Sequence, residues 1–290
     1  MNRIETEFHF YYMGVVDGTL PGPYAYRLLL PQMVYRVGTI TGVSPLTIDF
    51  AFKVILLFFS QLLFFGFMKR FVPEGWSFAA VFLLDVLIAF SLSYIEGPSV
   101  LETGDLANML VFIIALSALH QGQWITLCIV LFIGMFNRES PIVLIPLVVY
   151  LQWGKQGGWQ KILFVLLSCV VPYAVLHTFI HPSTTVWFTT EGLARNIPFV
   201  ASEYLSSTLV ANLRLFLLIG PLMVLTLHVY RQLPAFLRAT LLVVPLLIPI
   251  HYVFGVIIET RLWMPLFPIL VPTAILGLEY IYKKTETRNT

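Results

Sequence analysis

The stretch "LCIVLFIGMFNRESPIVLIPLVVYL", Leu127–Leu151, decides how the rest of the chain is read. An apolar run reaches Phe136, meets Asn137-Arg138-Glu139-Ser140, and becomes apolar again from Pro141. Read as one kinked helix, it crosses a bilayer once. Read as a hairpin with its tip at Asn137-Arg138-Glu139, it crosses twice, and every later segment changes sides.

Composition places the stretch in a membrane. The chain has 290 residues, 58% apolar and 11% charged, whereas soluble domains average roughly 45–50% and about 25%. A span needs about 20 apolar residues. Nine hydrophobic segments are read, at 46–67, 76–95, 105–120, 123–136, 141–153, 161–181, 208–229, 238–258 and 262–282. The expected fold is an all-α, polytopic transmembrane helical bundle of about nine spans. Residues 1–44 form an extracytoplasmic or interfacial segment, 45–282 the transmembrane domain and 283–290 a cytoplasmic tail. Within the first segment, "PYAYRLLLPQMVYRVG" reads as a short interfacial helix, its tyrosines suited to the headgroup level. No cleavable signal peptide is read at the start.

Orientation follows from lysine and arginine near span ends. With nine crossings, Lys69, Arg70, Lys155, Lys161, Arg231, Arg238, Lys283 and Lys284 share one side, the cytoplasmic one. Glu102, Asp105, Glu139 and Glu259 fall on the other with most of the remaining acids. A single helix over 123–153 would export most of those lysines, so the hairpin is the better reading. Each arm is about 20 Å long at 1.5 Å per residue, against a hydrocarbon thickness of about 30 Å. The tip is therefore expected below the outer surface, where charged irregular backbone needs protein or water around it.

Several strong polar groups fall in the same outer slab: Arg27, Glu102, Asp105, Asn137, Arg138, Glu139, Arg214, Glu259 and Arg261. Intramembrane charges mark function or mutual pairing. A guanidinium grips phosphate with a bidentate fork and stays charged when buried, so these arginines suit a lipid phosphate. The acids would serve as general base, as ligands of a divalent metal, or as partners that hold the arginines. The opposing reading makes them interfacial pairs snorkelling to water. Asp85, in mid-span, is expected to pair with Lys53, with Asp49 as a competitor at i,i+4 spacing. The histidines and the two cysteines, Cys128 and Cys169, show no metal spacing. No phosphate loop and no sign of nucleic-acid binding is present.

Three phrases, "GPYAYRLLLP", "NRESPIVLIPL" and "ETRLWMPLFPILVP", are similar to phrases in bacterial multi-span proteins near the GT-C superfamily. The chain thus resembles integral-membrane glycosyltransferases that use polyprenyl-phosphate sugars. The resemblance implies a site on the outer face of the cytoplasmic (inner) membrane and a lipid-phosphate sugar donor. It makes Asp17, in "GVVDGTLPGPYAYR", the general base. Arg138 and Arg261 would hold the donor phosphate, oriented by Glu139 and Glu259, which are also the metal ligands if a divalent metal takes part. Such enzymes carry a transmembrane helix before the first outer loop. This chain begins within that loop, so a truncated start or a shortened relative is the expectation. Two other classes stay open: a transporter or flippase of a lipid-linked or anionic solute, and a non-catalytic membrane subunit that contacts a partner protein.

Overall fold

The computed structural model describes residues 12–17, 27–92, 102–180, 205–254 and 260–289, and every regular element among them is helical. They are α1 (12–16), α2 (Leu29–Thr41), α3 (Pro45–Met68), α4 (Glu74–Leu92), α5 (Glu102–Gln121), α6 (Trp124–Met135), α7 (Leu144–Gln152), α8 (Gly158–Val175), α9 (Leu205–His228), α10 (Ala235–Thr240), α11 (Val244–Phe254) and α12 (Phe267–Asn289). Short 3-10 turns link several, and α8 continues as a π-turn, Leu176–Ile180.

Six helical segments are long and apolar enough to cross a membrane: Pro45–Met68, Glu74–Leu92, Thr103–Gln121, Gly158–Thr178, Ala235–Tyr252 and Thr260–Thr287. Three shorter apolar ones, Trp124–Met135, Ser140–Gln152 and Asn212–His228, coincide with the fourth, fifth and seventh expected spans. The chain is an all-α, polytopic membrane-helical protein. Many phenylalanines, leucines and valines point outward, Phe50, Phe58, Phe82 and Phe216 among them. That surface suits hydrocarbon, since a soluble protein rarely exposes large contiguous apolar patches.

Two units divide the chain. The first comprises Met1–Ser60 and Ile95–Trp187, the second Gln61–Tyr94 and Phe188–Thr290. In the first, α5 and α6 join through Gly122 (φ +69°), and α7 and α8 through Gly154 and Gly157 (φ +73° and +68°). These left-handed positions favour glycine. The Lys161 ammonium lies 4.8 Å from the Trp124 ring centre, and Trp153 packs on Trp159 at 5.2 Å. The start of α6, the end of α7 and the start of α8 therefore share one end of the unit. At the far end of α8, His177 lies within electrostatic reach of Glu139. A continuous helix would separate Trp124 from Trp153 by roughly 40 Å, so the chain reverses at 136–140. This is the hairpin expected from the charges.

The second unit is centred on Thr260–Leu266 and α12, where every residue from 260 to 275 is buried. α12 begins after this 3-10 segment and runs on through Lys283 and Lys284, with Lys283 pairing to Glu279 at 2.7 Å. It meets α9 closely: the Thr226 and Thr273 hydroxyls lie 2.7 Å apart, and a Cβ on Gly277 would stand 2.9 Å from the Leu225 carbonyl oxygen. Small residues one turn apart are how membrane helices bring backbones together.

Gly277→Val should therefore cost about 1–3 kcal/mol, read as a lower melting temperature in detergent. Gly66→Ala, with open space around its Cβ, should not lower melting, since alanine is the better helix former. Equal melting of the two variants would contradict the packing.

Candidate functional site

The hairpin tip is held by its own backbone before any long-range contact forms. The Gly134 carbonyl accepts from both the Asn137 and Arg138 amides, each at 2.9 Å. Pro141 then opens the turn Ser140–Val143, where its missing N–H costs no helical bond. Gly134 also admits α5, since a Cβ there would stand 2.8 Å from Val111.

From this tip, three side chains reach the first turns of α5. Arg138 Nη2 lies 2.5 Å from Asp105 Oδ1, Asn137 Nδ2 donates to the Gly104 carbonyl at 2.8 Å, and Ser140 Oγ donates to Asn108 Oδ1 at 3.0 Å. Arg138 is 7% exposed and Asp105 1%. The Leu29 amide donates to the Phe136 carbonyl at 3.1 Å, tying the start of α2 to the same tip.

A second charged group joins through α5. Thr103, two residues before Asp105, donates to Asp49 Oδ1 at 2.7 Å. Asp49, 1% exposed on α3, also accepts from the Tyr12 hydroxyl and pairs through Oδ2 with Lys53 at 3.3 Å. Two carboxylates and two cations thus gather at one end of the first unit, each carboxylate in contact with a cation. A buried charge persists only when paired and hydrogen-bonded. Along α6 and α5 this cluster lies about 18–24 Å from the Trp124–Trp159 end.

The expected site residues divide accordingly. Asn137, Arg138 and Asp105 come together as one contact. Glu139 is half-buried beside them, and Arg27 is half-buried two residues before α2. Glu102 opens α5. Asp17 is exposed just after α1, its amide bonded to the Met13 carbonyl. Arg261 is buried in the second unit, two residues from Trp263, which stacks on His251 at 4.9 Å. Glu259 lies outside the described residues. Among those described, no three His, Cys, Asp or Glu side chains stand close enough to hold a metal ion.

The expected Asp85–Lys53 pair is corrected. Asp85 accepts from Gln61 Nε2 at 2.8 Å, and Lys53 pairs with Asp49 one turn back on its own helix. Gln61 is two turns further along α3 than Lys53, which puts an amide rather than an ammonium opposite Asp85. Tyr12, Thr103, Asn108 and Ser140 belong to the cluster without having been singled out from the sequence. Comparison of the chain with protein-family models, with curated proteins and with solved structures gives no match.

Asp105→Ala should cost about 3–5 kcal/mol, because Arg138 keeps its charge without its carboxylate. Asp105→Leu combined with Arg138→Met should recover much of that loss. Unfolding of the singles and the double in detergent measures the coupling, and additive losses would show that the pair is not a unit.

Proposed function

We propose that the chain moves a sugar from a polyprenyl-phosphate donor to an acceptor on the outer face of the bacterial cytoplasmic membrane. The observation that carries this reading is the buried Arg138–Asp105 contact at the hairpin tip. Trp124, Tyr150, Trp153 and Trp159, with Lys155 and Lys161, suit the cytoplasmic headgroup level by their aromatic and basic character. From there, about 18–24 Å of helix reaches the tip, short of a hydrocarbon layer about 30 Å thick. Helix tilt would shorten that reach. The cluster then sits below the outer surface, where a lipid phosphate entering sideways meets an arginine in a low dielectric. Nine crossings, with the N-terminal segment outside and the C-terminus cytoplasmic, accompany this reading.

In the reaction, the acceptor hydroxyl attacks the anomeric carbon and gives its proton to a carboxylate, which the family resemblance assigns to Asp17. The bond from that carbon to the phosphate oxygen breaks, and the departing phosphate keeps the electron pair. Arg138 would stabilise that charge, shared between phosphate and Asp105. Arg261, in the second unit, is a separate donor-binding candidate from the same resemblance.

One observation favours a second reading, the non-catalytic membrane subunit. Asp49 and Asp105 already have cationic partners, as a cluster that merely fastens helices would require. The transporter reading loses its proposed intramembrane pair, since Asp85 is held by Gln61.

Native mass spectrometry with polyprenyl phosphate, followed by turnover of sugar-loaded lipid, separates these readings. Arg138→Lys keeps the charge but loses the fork, and should weaken binding about tenfold. Asp17→Asn, at an exposed position, should bind normally and turn nothing over. Binding indifferent to Arg138, with no turnover by the wild type, would put the subunit reading first.

A further inference from the structure

The hairpin-tip end of the first unit carries a second basic feature that the sugar-transfer reading does not use. α2 has three faces. Leu30, Pro31, Val34 and Gly38 are buried, and Val34 packs with Tyr12 and Ile48. Met33, Val37 and Ile40 are apolar and exposed, Ile40 at 83%. Gln32, Tyr35, Arg36 and Thr39 form the polar face, which follows from their spacing at 100° per residue. This pattern, bundle on one side, hydrocarbon on the next and headgroups opposite, is that of a helix lying in a membrane interface.

A cleft of about 530 Å3 opens along the polar face, lined by Val16, Gln32, Tyr35, Arg36, Thr39 and Ile40. Thr39 Oγ1 is occupied, donating to the Tyr35 carbonyl at 2.9 Å. Arg36 is exposed, and no hydrogen bond or ion pair engages it among the described residues. The bond from Leu29 to Phe136 and the contact of Gly38 with Pro45 fix α2 at the hairpin-tip end of the unit. Arg36 thus stands at the level of one headgroup layer, with apolar side chains a third of a turn away.

We propose that this cleft binds the phosphate of an anionic phospholipid, with Arg36 as its cationic anchor, Gln32 as a further donor, and the acyl chains over Met33, Val37 and Ile40. Charge complementarity and the adjoining apolar face select a lipid over a soluble anion, which would leave Ile40 in water. The site rests on the membrane-helical architecture and not on sugar transfer.

The test is native mass spectrometry of the full chain in detergent with phosphatidylglycerol or phosphatidylcholine. The wild type should retain phosphatidylglycerol in preference to phosphatidylcholine. Arg36→Gln should weaken phosphatidylglycerol about fivefold and erase the preference, since one basic residue near an anionic surface contributes about that much. Arg36→Lys should keep most of it, and neither variant should shift the melting temperature. Equal retention by wild type and Arg36→Gln would overturn the site, as would displacement of the lipid by an equal concentration of inorganic phosphate. Arg138→Lys should leave this preference intact, so its outcome is separable from that of the donor site.

Discussion

The first unit depends on the contact between Arg138 and Asp105. A guanidinium and a carboxylate, both nearly out of contact with solvent, hold the hairpin tip against the first turn of α5. In water such a pair would contribute little. In a low-dielectric interior each charge needs the other, because separating them leaves a charge buried without its direct counter-ion. Asn137 and Ser140, on either side of the Arg138–Glu139 step, reach Gly104 and Asn108 on the same helix. The tip is thereby fixed in position as well as neutralised.

The cluster extends further through the first turn of α5. Thr103 faces Asp49 while Asp105 faces Arg138, so a single turn of one helix connects two ion pairs. Tyr12 brings α1 to the same carboxylate, and the Phe136 carbonyl brings α2 to the tip. Five segments, α1, α2, α3, α5 and the hairpin tip, meet there by polar contacts, in a unit whose outward surface is otherwise largely apolar. Hydrocarbon supplies no hydrophobic force between helices, so polar contacts and close packing decide which helices meet. In the second unit the hydroxyls of Thr226 and Thr273, and the backbone approach at Gly277, do the same work with uncharged groups.

Much of this was legible in the sequence because apolar runs bounded by charges define spans with little ambiguity. The expected segments at 46–67 and 76–95 appear as Pro45–Met68 and Glu74–Leu92. The hairpin followed from lysine placement, which a bilayer sorts strongly. Pairing was less legible. Asp85 and Lys53 looked complementary because both are charged in mid-span, yet i,i+4 geometry gives Lys53 to Asp49, and Gln61 satisfies Asp85 with a neutral amide. Thr103 and Ser140 carry no charge and repeat no motif, so nothing in their residue type marked them. They matter because of where α5 begins, which is a property of the packed helices.

The arrangement of the first unit depends on the chain reversing at 136–140 with its tip sunk among helices. Nitroxide labels at Trp124, Glu139 and Trp153 in a reconstituted bilayer would test this through their collision rates with a water-soluble and a lipid-soluble relaxant. Positions 124 and 153 should report one shared interface, and 139 hydrocarbon depth yet contact with the water-soluble reagent. Positions 124 and 153 reporting opposite interfaces would make the stretch a single crossing and contradict the reversal.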